Sequence, residues 1–340
     1  MSNPVLLTGI SGFLGGHVAL ALLNAGYNVR GSLRNPAKAD SVRKALGEAG
    51  ADLARLEFVT LDLLDERGWA EAAQNCRYLL HTASPFVLKM PKDKTELIRP
   101  AVEGTERALK AGLEAGVERI VLTSSMAAIA YGHEAPRTTA FTAKDWSNPD
   151  NPRISAYVES KTRAERRAWE IMQEAGREKD LVAINPSAIL GPLLDDDPGT
   201  SAILVIRLMN GSVPAAPRII FAIVDVRDVA AAHVAALAEP EAGGRRFPMG
   251  DRCMSFLETA DVLRRRFPER AGKMPRLAMP DWLVRLYALF DADVRGSLNE
   301  LGVVRRLDAS DAVALLGRKL IPADQAIIAT AESVIGRGIV

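Results

Sequence analysis

A tyrosine and a lysine four residues apart form the most chemically suggestive pair in the sequence. The run Tyr157-Val158-Glu159-Ser160-Lys161 has the spacing at which two side chains share one face of an α-helix. A phenol has an unperturbed pKa of about 10 and is a poor acid–base catalyst at neutral pH. A neighbouring ammonium group favours the ionised phenol, so we expect Lys161 to lower the pKa of Tyr157 towards the working range. The pair predicts proton transfer by Tyr157, assisted by Lys161.

A serine stands at the end of an apolar run upstream of this pair. Arg119-Ile120-Val121-Leu122 is typical of a buried strand, and Thr123-Ser124-Ser125 follows it. Ligands of open α/β sheets bind outside the carboxyl ends of the strands. Ser125 is therefore a candidate for polarising a substrate carbonyl group. The alternative is a helix cap or a turn, which serine often provides.

Glycine recurs at every third position in Thr8-Gly9-Ile10-Ser11-Gly12-Phe13-Leu14-Gly15. This run lies between an apolar strand-like segment, Val5-Leu6-Leu7, and a segment with helical apolar spacing, Gly16 to Asn24. Glycines at such a junction let the chain turn sharply, let a pyrophosphate approach the backbone and let the helix pack closely on the strand. The position in the chain predicts a dinucleotide site, although a glycine-rich turn without a ligand is the alternative.

The residues after the second predicted strand indicate which dinucleotide binds. An NAD enzyme usually places an acid there against the ribose hydroxyls, but Val29 to Lys38 contains none. Arg34 offers a planar fork for a 2′-phosphate, and Lys38 adds a second cation. We therefore predict NADP(H), with a solvated basic loop as the alternative. Asp62, after the third strand, is either an adenine ligand or a turn residue.

The elements that must position these residues alternate between strands and helices. Five more strand-like runs are Tyr27–Arg30, Leu56–Val59, Tyr78–His81, Arg119–Leu122 and Leu181–Ile184. Such βαβ alternation predicts an α/β fold with a doubly wound parallel sheet of the Rossmann type. Prolines interrupt the pattern after Pro186, which predicts a smaller, interleaved C-terminal substrate lobe. The predicted boundaries are 1–190 for the dinucleotide-binding domain, with a return segment at about 219–240, and 191–218 and 241–340 for the lobe.

The composition is that of an ordinary globular chain. The 340 residues are 48% hydrophobic and 25% charged, and 43 basic residues balance 42 acidic ones, so no overall charge excess draws the chain to nucleic acid. Cys76 and Cys253 lie far apart and outside any C-x-x-C pair, which argues against structural zinc and suits a reducing compartment. The N-terminal apolar stretch contains a glycine turn and lacks a preceding basic residue, so we expect neither a signal peptide nor a membrane span. We expect a cytoplasmic monomer or homodimer.

Taken together, these motifs resemble those of the extended short-chain dehydrogenases/reductases. The resemblance rests on the glycine turn, Ser124-Ser125, the Tyr157/Lys161 pair and the run Asn185 to Pro192. Within that superfamily, His81-Thr82-Ala83-Ser84-Pro85-Phe86 and Val224 to Val229 are similar to the dihydroflavonol reductase-like branch, which includes aldehyde and ketone reductases. The similarity covers roughly residues 5 to 240.

The resemblance implies roles for individual residues. Ser125 and Tyr157 would be catalytic, with Tyr157 as the proton donor, and Lys161 would also hold the nicotinamide ribose. Pro186 and Ser187 would lie near the nicotinamide. The full set of cofactor-binding candidates is Thr8, Gly9, Ser11, Gly12, Phe13, Leu14, Gly15, Arg34, Lys38, Asp62, Leu63, Thr82, Ala83, Ser84, Thr123, Tyr157, Lys161, Pro186, Ser187 and Ile189.

Departures from the family patterns shape the expected substrate. The stretch Met126–Ala130 lacks the polar amide with which plant dihydroflavonol reductases grip a flavonoid, and Ser155–Glu159 lacks the cinnamoyl-CoA reductase signature. We therefore expect a reductase for an apolar aldehyde or ketone, with Met126–Ala130 as an apolar wall.

Two alternatives remain. The first is a nucleotide-sugar epimerase or dehydratase, whose diphosphate Arg245-Arg246 or Arg264-Arg265-Arg266 would grip. The second is a non-catalytic NADP-sensing protein on the same scaffold.

Overall fold

The main sheet of the protein has seven strands, all paired in parallel. The computed structural model describes residues 3–85, 93–134, 137–199, 201–290 and 292–340. The strand order is β3-β2-β1-β4-β5-β6-β9, which reverses direction between β1 and β4. These strands are β1 (Val5–Thr8), β2 (Val29–Leu33), β3 (Leu56–Thr60), β4 (Tyr78–His81), β5 (Arg119–Thr123), β6 (Leu181–Pro186) and β9 (Arg245–Met249).

Helices cover both faces of this sheet. The helices among the described residues are α1 (Phe13–Asn24), α2 (Ala39–Glu48), α3 (Trp69–Ala73), α4 (Thr95–Glu114), α5 (Ala156–Glu174), α6 (Ser201–Asn210), α7 (Val226–Ala238), α8 (Phe256–Arg266), α9 (Asp281–Tyr287), α10 (Ala292–Gly296), α11 (Ser310–Leu316) and α12 (Ala323–Gly336). Alternate residues of β1 separate the two layers, because Val5 and Leu7 pack with α1, α2 and α7, whereas Leu6 packs with α3, α4 and α5. The predicted doubly wound α/β architecture is confirmed. The first helix begins at Phe13, three residues before the start of the predicted helical segment.

A second, three-stranded sheet lies outside the main one. In it β7 (Ala188–Leu190) pairs in parallel with β8 (Ile220–Asp225), and β8 pairs antiparallel with β10 (Arg252–Ser255). Residues of these strands form a separate apolar cluster with α6, α8 and α12. This cluster is the core of the smaller C-terminal lobe.

The segments that join the main sheet and the small sheet differ from those given by the predicted boundaries. Strand β9, at 245–249, was predicted within the substrate lobe but pairs with β6 in the main sheet. Strand β8 belongs to the small sheet, although it lies inside the predicted return segment of 219–240. Helix α7 of that segment packs on the main sheet through residues such as Val229, and Val224 of β8 belongs to the same apolar cluster. Sequence runs alone do not show which sheet a strand joins, because that choice depends on pairing over long range.

The N-terminal apolar stretch forms the strand, turn and helix that its glycines predict. Among the described residues, no helix is long and apolar enough to cross a membrane.

Candidate active site

The glycine turn after β1 is packed so closely that side chains are excluded from it. Gly9 has a φ of +75°, and a Cβ atom there would lie 2.8 Å from the Cα atom of Ala83 at the end of β4. A Cβ atom on Gly15 would lie 2.1 Å from the carbonyl oxygen of Gly9. Helix α1 begins after Gly12 without a side-chain cap, which leaves its first N–H groups available to an anion. The turn has the shape and the polarity of a phosphate cradle.

Side chains from β1 and β4 hold this turn in place. The Thr8 hydroxyl lies 2.9 Å from Nδ1 of His81 and accepts a hydrogen bond from the backbone N–H of Ala83. The Thr82 hydroxyl donates to the Thr8 carbonyl oxygen over 2.6 Å. Burial, reinforced by the Lys161 cation, lowers the pKa of His81 to about 3. His81 is thus neutral at physiological pH and connects the glycine turn with the neighbourhood of Lys161.

Other residues predicted at the cofactor line the same end of the sheet. Ser11 and Phe13 border a cleft beside the turn, and Leu14 packs on the core of the main sheet. Ser84 and Thr123 border a second small cavity that contains Lys161. Phe86, which contributes to the family resemblance, lies outside the described residues.

The two cations predicted to select NADP(H) lie directly beyond β2. Arg34 is the first residue after that strand, Lys38 follows it by one turn, and both side chains are exposed. Burial raises the pKa of the Asp195 carboxyl, and the charge of Lys38 is one of the effects that oppose this rise. The basic end of β2 is open to a ligand.

Asp62 acts as a turn residue in this structure. Its carboxylate accepts the backbone N–H of Leu64 over 2.9 Å, which is the local role left open as an alternative. The side chain of Leu63 packs tightly against Gly104 of α4.

The three candidate catalytic residues come together at the carboxyl end of β5. The Ser155 hydroxyl accepts the N–H of Val158 and so starts α5, which carries Tyr157 and Lys161 on one face. Ser125 follows β5, and its hydroxyl lies close enough to the Tyr157 side chain to lower the pKa of the phenol. The Ser125 hydroxyl also accepts the N–H of Ala127, so the serine caps a short 3-10 turn as well. The capping role given as the alternative for Ser125 is therefore present, and its catalytic role stays a prediction.

The electrostatics of Tyr157 differ from the prediction. Burial raises the pKa of Tyr157, and the hydrogen bond from Ser125 opposes this only in part. Lys161 is also buried, which lowers its pKa to about 8 against the opposing pull of Glu165. Its Nζ lies 3.5 Å from the Thr123 carbonyl oxygen. The expected lowering of the Tyr157 pKa by Lys161 is absent here, because the loss of solvent raises that pKa and Ser125, not Lys161, is the group that opposes the rise.

The predicted nicotinamide end is formed by the strand ends of β6 and β7. Pro186 ends β6, Ser187 follows it, and Ile189 lies in β7. The Ser187 hydroxyl is buried and has no hydrogen-bond partner among the described residues. A buried hydroxyl left in this state is suited to a ligand that supplies the missing partner.

The predicted apolar wall is mostly turned inwards. Met126, Ile129 and Ala130 are buried and pack together with Phe141. Tyr131 stands beside this cluster with the Arg305 guanidinium 4.1 Å from its ring centre. Isolated apolar residues after a strand do not reveal whether they face a ligand or the core.

The arginine clusters proposed to grip a diphosphate are engaged within the protein. Arg246 is buried against Glu165, and Arg245 pairs with Asp311 at 2.8 Å. Arg264 pairs with Asp261, and Arg266 pairs with Glu332. These four arginines already have acidic partners, which disfavours the diphosphate grip of the epimerase alternative.

Sequence reasoning missed the buried pair of Glu165 and Arg246. Glu165 is the fourth residue after Lys161, so the helical spacing of Tyr157 and Lys161 continues to it. That spacing was the available signal. Its partner lies 81 residues further along the chain, and no local pattern connects the two.

The sheet order, the glycine turn at the switch point and the Ser125/Tyr157/Lys161 grouping define a Rossmann-type dinucleotide-binding protein. The chain belongs to the NAD dependent epimerase/dehydratase family, which matches residues 5–250. The resemblance to the extended short-chain dehydrogenases/reductases is thereby confirmed.

Individual relatives are reductases. Cinnamoyl-CoA reductase CAD2 of Medicago truncatula is 36% identical over 276 residues, covering 79% of this chain and 82% of that protein. Tetraketide alpha-pyrone reductase 2 of Arabidopsis thaliana is 33% identical over 271 residues, covering 78% and 83%. The crystal structure of yeast methylglyoxal/isovaleraldehyde reductase Gre2 complexed with NADPH has a TM-score of 0.81 at 27% identity, and covers 99% of this chain and 100% of that one.

Proposed function

We propose that the protein is an NADPH-dependent reductase that converts an apolar aldehyde or ketone into the corresponding alcohol. The observation that carries this proposal is the grouping of Ser125 and Tyr157 at the end of β5, with Lys161 one helical turn further on. The reductase relatives and the NADPH in the yeast structure support it.

Two features of the chain fit a bound nicotinamide dinucleotide. The glycine turn provides a cradle that a Cβ atom at Gly9 or Gly15 would fill. The unpartnered Ser187 hydroxyl lies where the resemblance puts the nicotinamide. Arg34 and Lys38, exposed beyond β2 without a nearby acid in that loop, favour NADPH over NADH through the 2′-phosphate.

The chain's own groups perform the proton transfer. Bound NADPH supplies a hydride to the carbonyl carbon. Ser125 and Tyr157 donate hydrogen bonds to the carbonyl oxygen and stabilise the negative charge that develops there. Because burial raises the pKa of Tyr157, the phenol keeps its proton at neutral pH and can give it to that oxygen. The Lys161 ammonium stabilises the phenolate that is left.

Among the described residues, four of the five arginines named for the epimerase alternative already have acidic partners. Arg245, Arg246, Arg264 and Arg266 are all held by acidic partners. A sugar diphosphate would have to displace one of these carboxylates.

The proposal extends to location and assembly. Cys76 and Cys253 are both free thiols, which supports a reducing, cytoplasmic environment. We propose a monomer or homodimer with a small-molecule substrate.

The test of this proposal is NADPH consumption by the purified protein against a panel of carbonyl compounds. The panel contains aromatic aldehydes, ketones, 1,2-diketones, cinnamoyl-CoA, and UDP- and GDP-sugars. We expect turnover of free carbonyl compounds. Conversion of a nucleotide sugar without net NADPH consumption would favour the epimerase, and NADPH binding with no turnover of any compound would favour the sensor.

The variant Tyr157→Phe tests the assigned proton donor. It removes the donated proton and keeps the ring, so turnover should fall about 10²- to 10⁴-fold while the Kd for NADPH is retained. Tyr27→Phe is the matched control, because Tyr27 packs edge-to-face against Tyr78, at the start of β4. A Tyr157→Phe rate above about a tenth of the wild-type rate would contradict the assignment.

A further inference from the structure

A buried ion pair lies directly behind the proposed catalytic residues and has no part in the mechanism above. The Glu165 carboxylate is fully buried, the Arg246 side chain is 7% exposed, and Nε of Arg246 lies 2.6 Å from Oε1 of Glu165. Burying two charges costs several kcal/mol per ion unless hydrogen bonds compensate. The hydrogen bonds of this pair therefore show which groups compensate the cost of burying the Glu165 carboxylate.

Glu165 connects helix α5 with the ends of two strands. Its Oε2 accepts hydrogen bonds from the Ser124 hydroxyl and from Nδ2 of Asn185, the latter over 2.7 Å. The same Nδ2 of Asn185 lies 3.3 Å from the carbonyl oxygen of Ser125. Trp169 donates to Oε1 over 3.2 Å. The carboxylate thus fixes the backbone on which the Ser125 hydroxyl is presented.

Arg246 is occupied by protein atoms and is closed to an outside ligand. Its Nη1 donates to the carbonyl oxygens of Ala143 and Asp145 over 2.8 and 2.6 Å. Its guanidinium carbon lies 3.8 Å from the ring centre of Trp146. With these contacts, Arg246 holds the carboxylate of Glu165 in one position.

Glu165 also faces Lys161 across a small cavity that both residues line. His81 reaches this cavity from β4, Thr123 and Ser124 from β5, and Thr105 from α4. Burial holds His81 neutral, with a pKa of about 3, and the hydroxyl groups carry no charge. Among the described residues lining the cavity, Glu165 is the one acid.

We propose that Glu165 is a positioning residue: its carboxylate keeps Lys161 in the ammonium form and anchors the strand end that carries Ser125. This inference rests on the proposed function, because it assigns Glu165 to act through Lys161 and Ser125. Burial brings the pKa of Lys161 down to about 8 even with the opposing charge of Glu165 in place. Without the carboxylate, the ammonium would lose its proton closer to neutral pH.

The test is the titration of Lys161, followed through its ¹³Cε resonance in protein labelled with [¹³C]lysine and assigned from its loss in Lys161→Met. Glu165→Gln should lower the midpoint by about one pH unit or more, since an opposite charge at close range typically shifts a pKa by 1–3 units. Arg246→Met should not lower it, because Ser124, Asn185 and Trp169 still hold the carboxylate. Glu159→Gln is the matched control, as this buried glutamate of α5 pairs with Lys94 and Arg163 instead.

A purely structural role would give a different pattern. Glu165→Gln and Arg246→Met break the same ion pair, so equal shifts in the two variants would overturn the proposal. A midpoint within about 0.3 units of wild type in Glu165→Gln would overturn it as well. If either single variant fails to fold, the double variant Glu165→Gln/Arg246→Met is the substitute, because removing both charges leaves no unpaired buried charge. The double variant lacks the carboxylate and should therefore show the lowered Lys161 midpoint.

The kinetic readout separates this inference from the proposed function. Loss of the Lys161 proton should lower kcat/KM for the carbonyl substrate above about pH 8, and in Glu165→Gln that alkaline decline should move to lower pH by the shift seen in the NMR titration. A wild-type protein that turns over no carbonyl compound would refute the proposed function. The NMR titration needs no substrate and would still decide the role of Glu165.

Discussion

The glycine turn and the α5 side of the site are built in opposite ways. Around Gly9 and Gly15 the backbone is packed so closely that a single Cβ atom would collide with it. Around Tyr157, Lys161 and Glu165 the structure depends on buried polar side chains whose charges balance one another. The first region is fixed by shape, so it should respond to volume and hardly to pH. The second is fixed by charge and should respond to pH.

The most damaging change at the shape-determined side is Gly15→Ala. The added Cβ atom would lie 2.1 Å from the Gly9 carbonyl oxygen, a backbone atom that cannot swing away, so α1 must shift from the turn. Overpacking costs up to about 3 kcal/mol in typical cores, and we expect NADPH binding to weaken by about 100-fold or more. Titration of NADPH by fluorescence measures this.

The neighbouring glycine supplies the control for that experiment. A Cβ atom on Gly16 would meet Leu194 at 3.4 Å, which is ordinary van der Waals contact. Gly16→Ala should therefore leave NADPH affinity within about threefold of wild type. Equal losses of NADPH affinity in both variants would mean that the glycines are needed for the packing of helix α1 and not for the shape of the turn.

The expected loss of NADPH affinity on removing a cation at the cofactor is smaller than the loss expected for Gly15→Ala. Arg34→Ala should weaken NADPH binding about 10- to 100-fold, because it removes a charge-assisted contact of about 1.5–3 kcal/mol to the 2′-phosphate. NADH binding should stay as in wild type. The control is Lys44→Ala, which removes an exposed cation of helix α2 and should change neither affinity. If Arg34→Ala weakened both cofactors alike, Arg34 would serve the scaffold instead of selecting the phosphate.

The contrast between the two regions also explains what the sequence reveals. The glycine turn, the strand ends and the pair Tyr157/Lys161 are local patterns, since backbone sterics and helical spacing operate over a few residues. The structure places all of them at one end of the main sheet. Their assignment as cofactor and catalytic residues stays a prediction until the variants are measured.

The remaining features depend on contacts over long range. Arg246 stands next to Arg245 in the sequence and has the appearance of a surface cluster, yet it packs beneath Trp146 and pairs with Glu165. Strand β9, which carries Arg246, joins β6 from about 60 residues away. The pKa of Tyr157 was predicted from one neighbour, whereas burial by the whole fold determines its direction. A local sequence pattern does not show the charges and the burial that distant parts of the chain contribute to a residue.

The smallest expected effect tests the residue that joins the two regions. His81 contacts Thr8 in the turn and faces Lys161, and burial lowers its pKa to about 3; burial likewise lowers the pKa of His233 to about 4. Between these values and the unfolded value of about 6.5, the unfolded chain binds protons that the folded chain does not. The free energy of unfolding should therefore fall as pH decreases below about 6.5, by roughly 1 kcal/mol per pH unit and per histidine, and these histidines should contribute no slope above pH 7. Urea unfolding of wild type and His81→Gln across pH 4–8 measures this. The variant should lose the share of the slope that belongs to His81, whereas an unchanged slope would show that the acid sensitivity arises elsewhere and that the turn is as insensitive to pH as its shape implies.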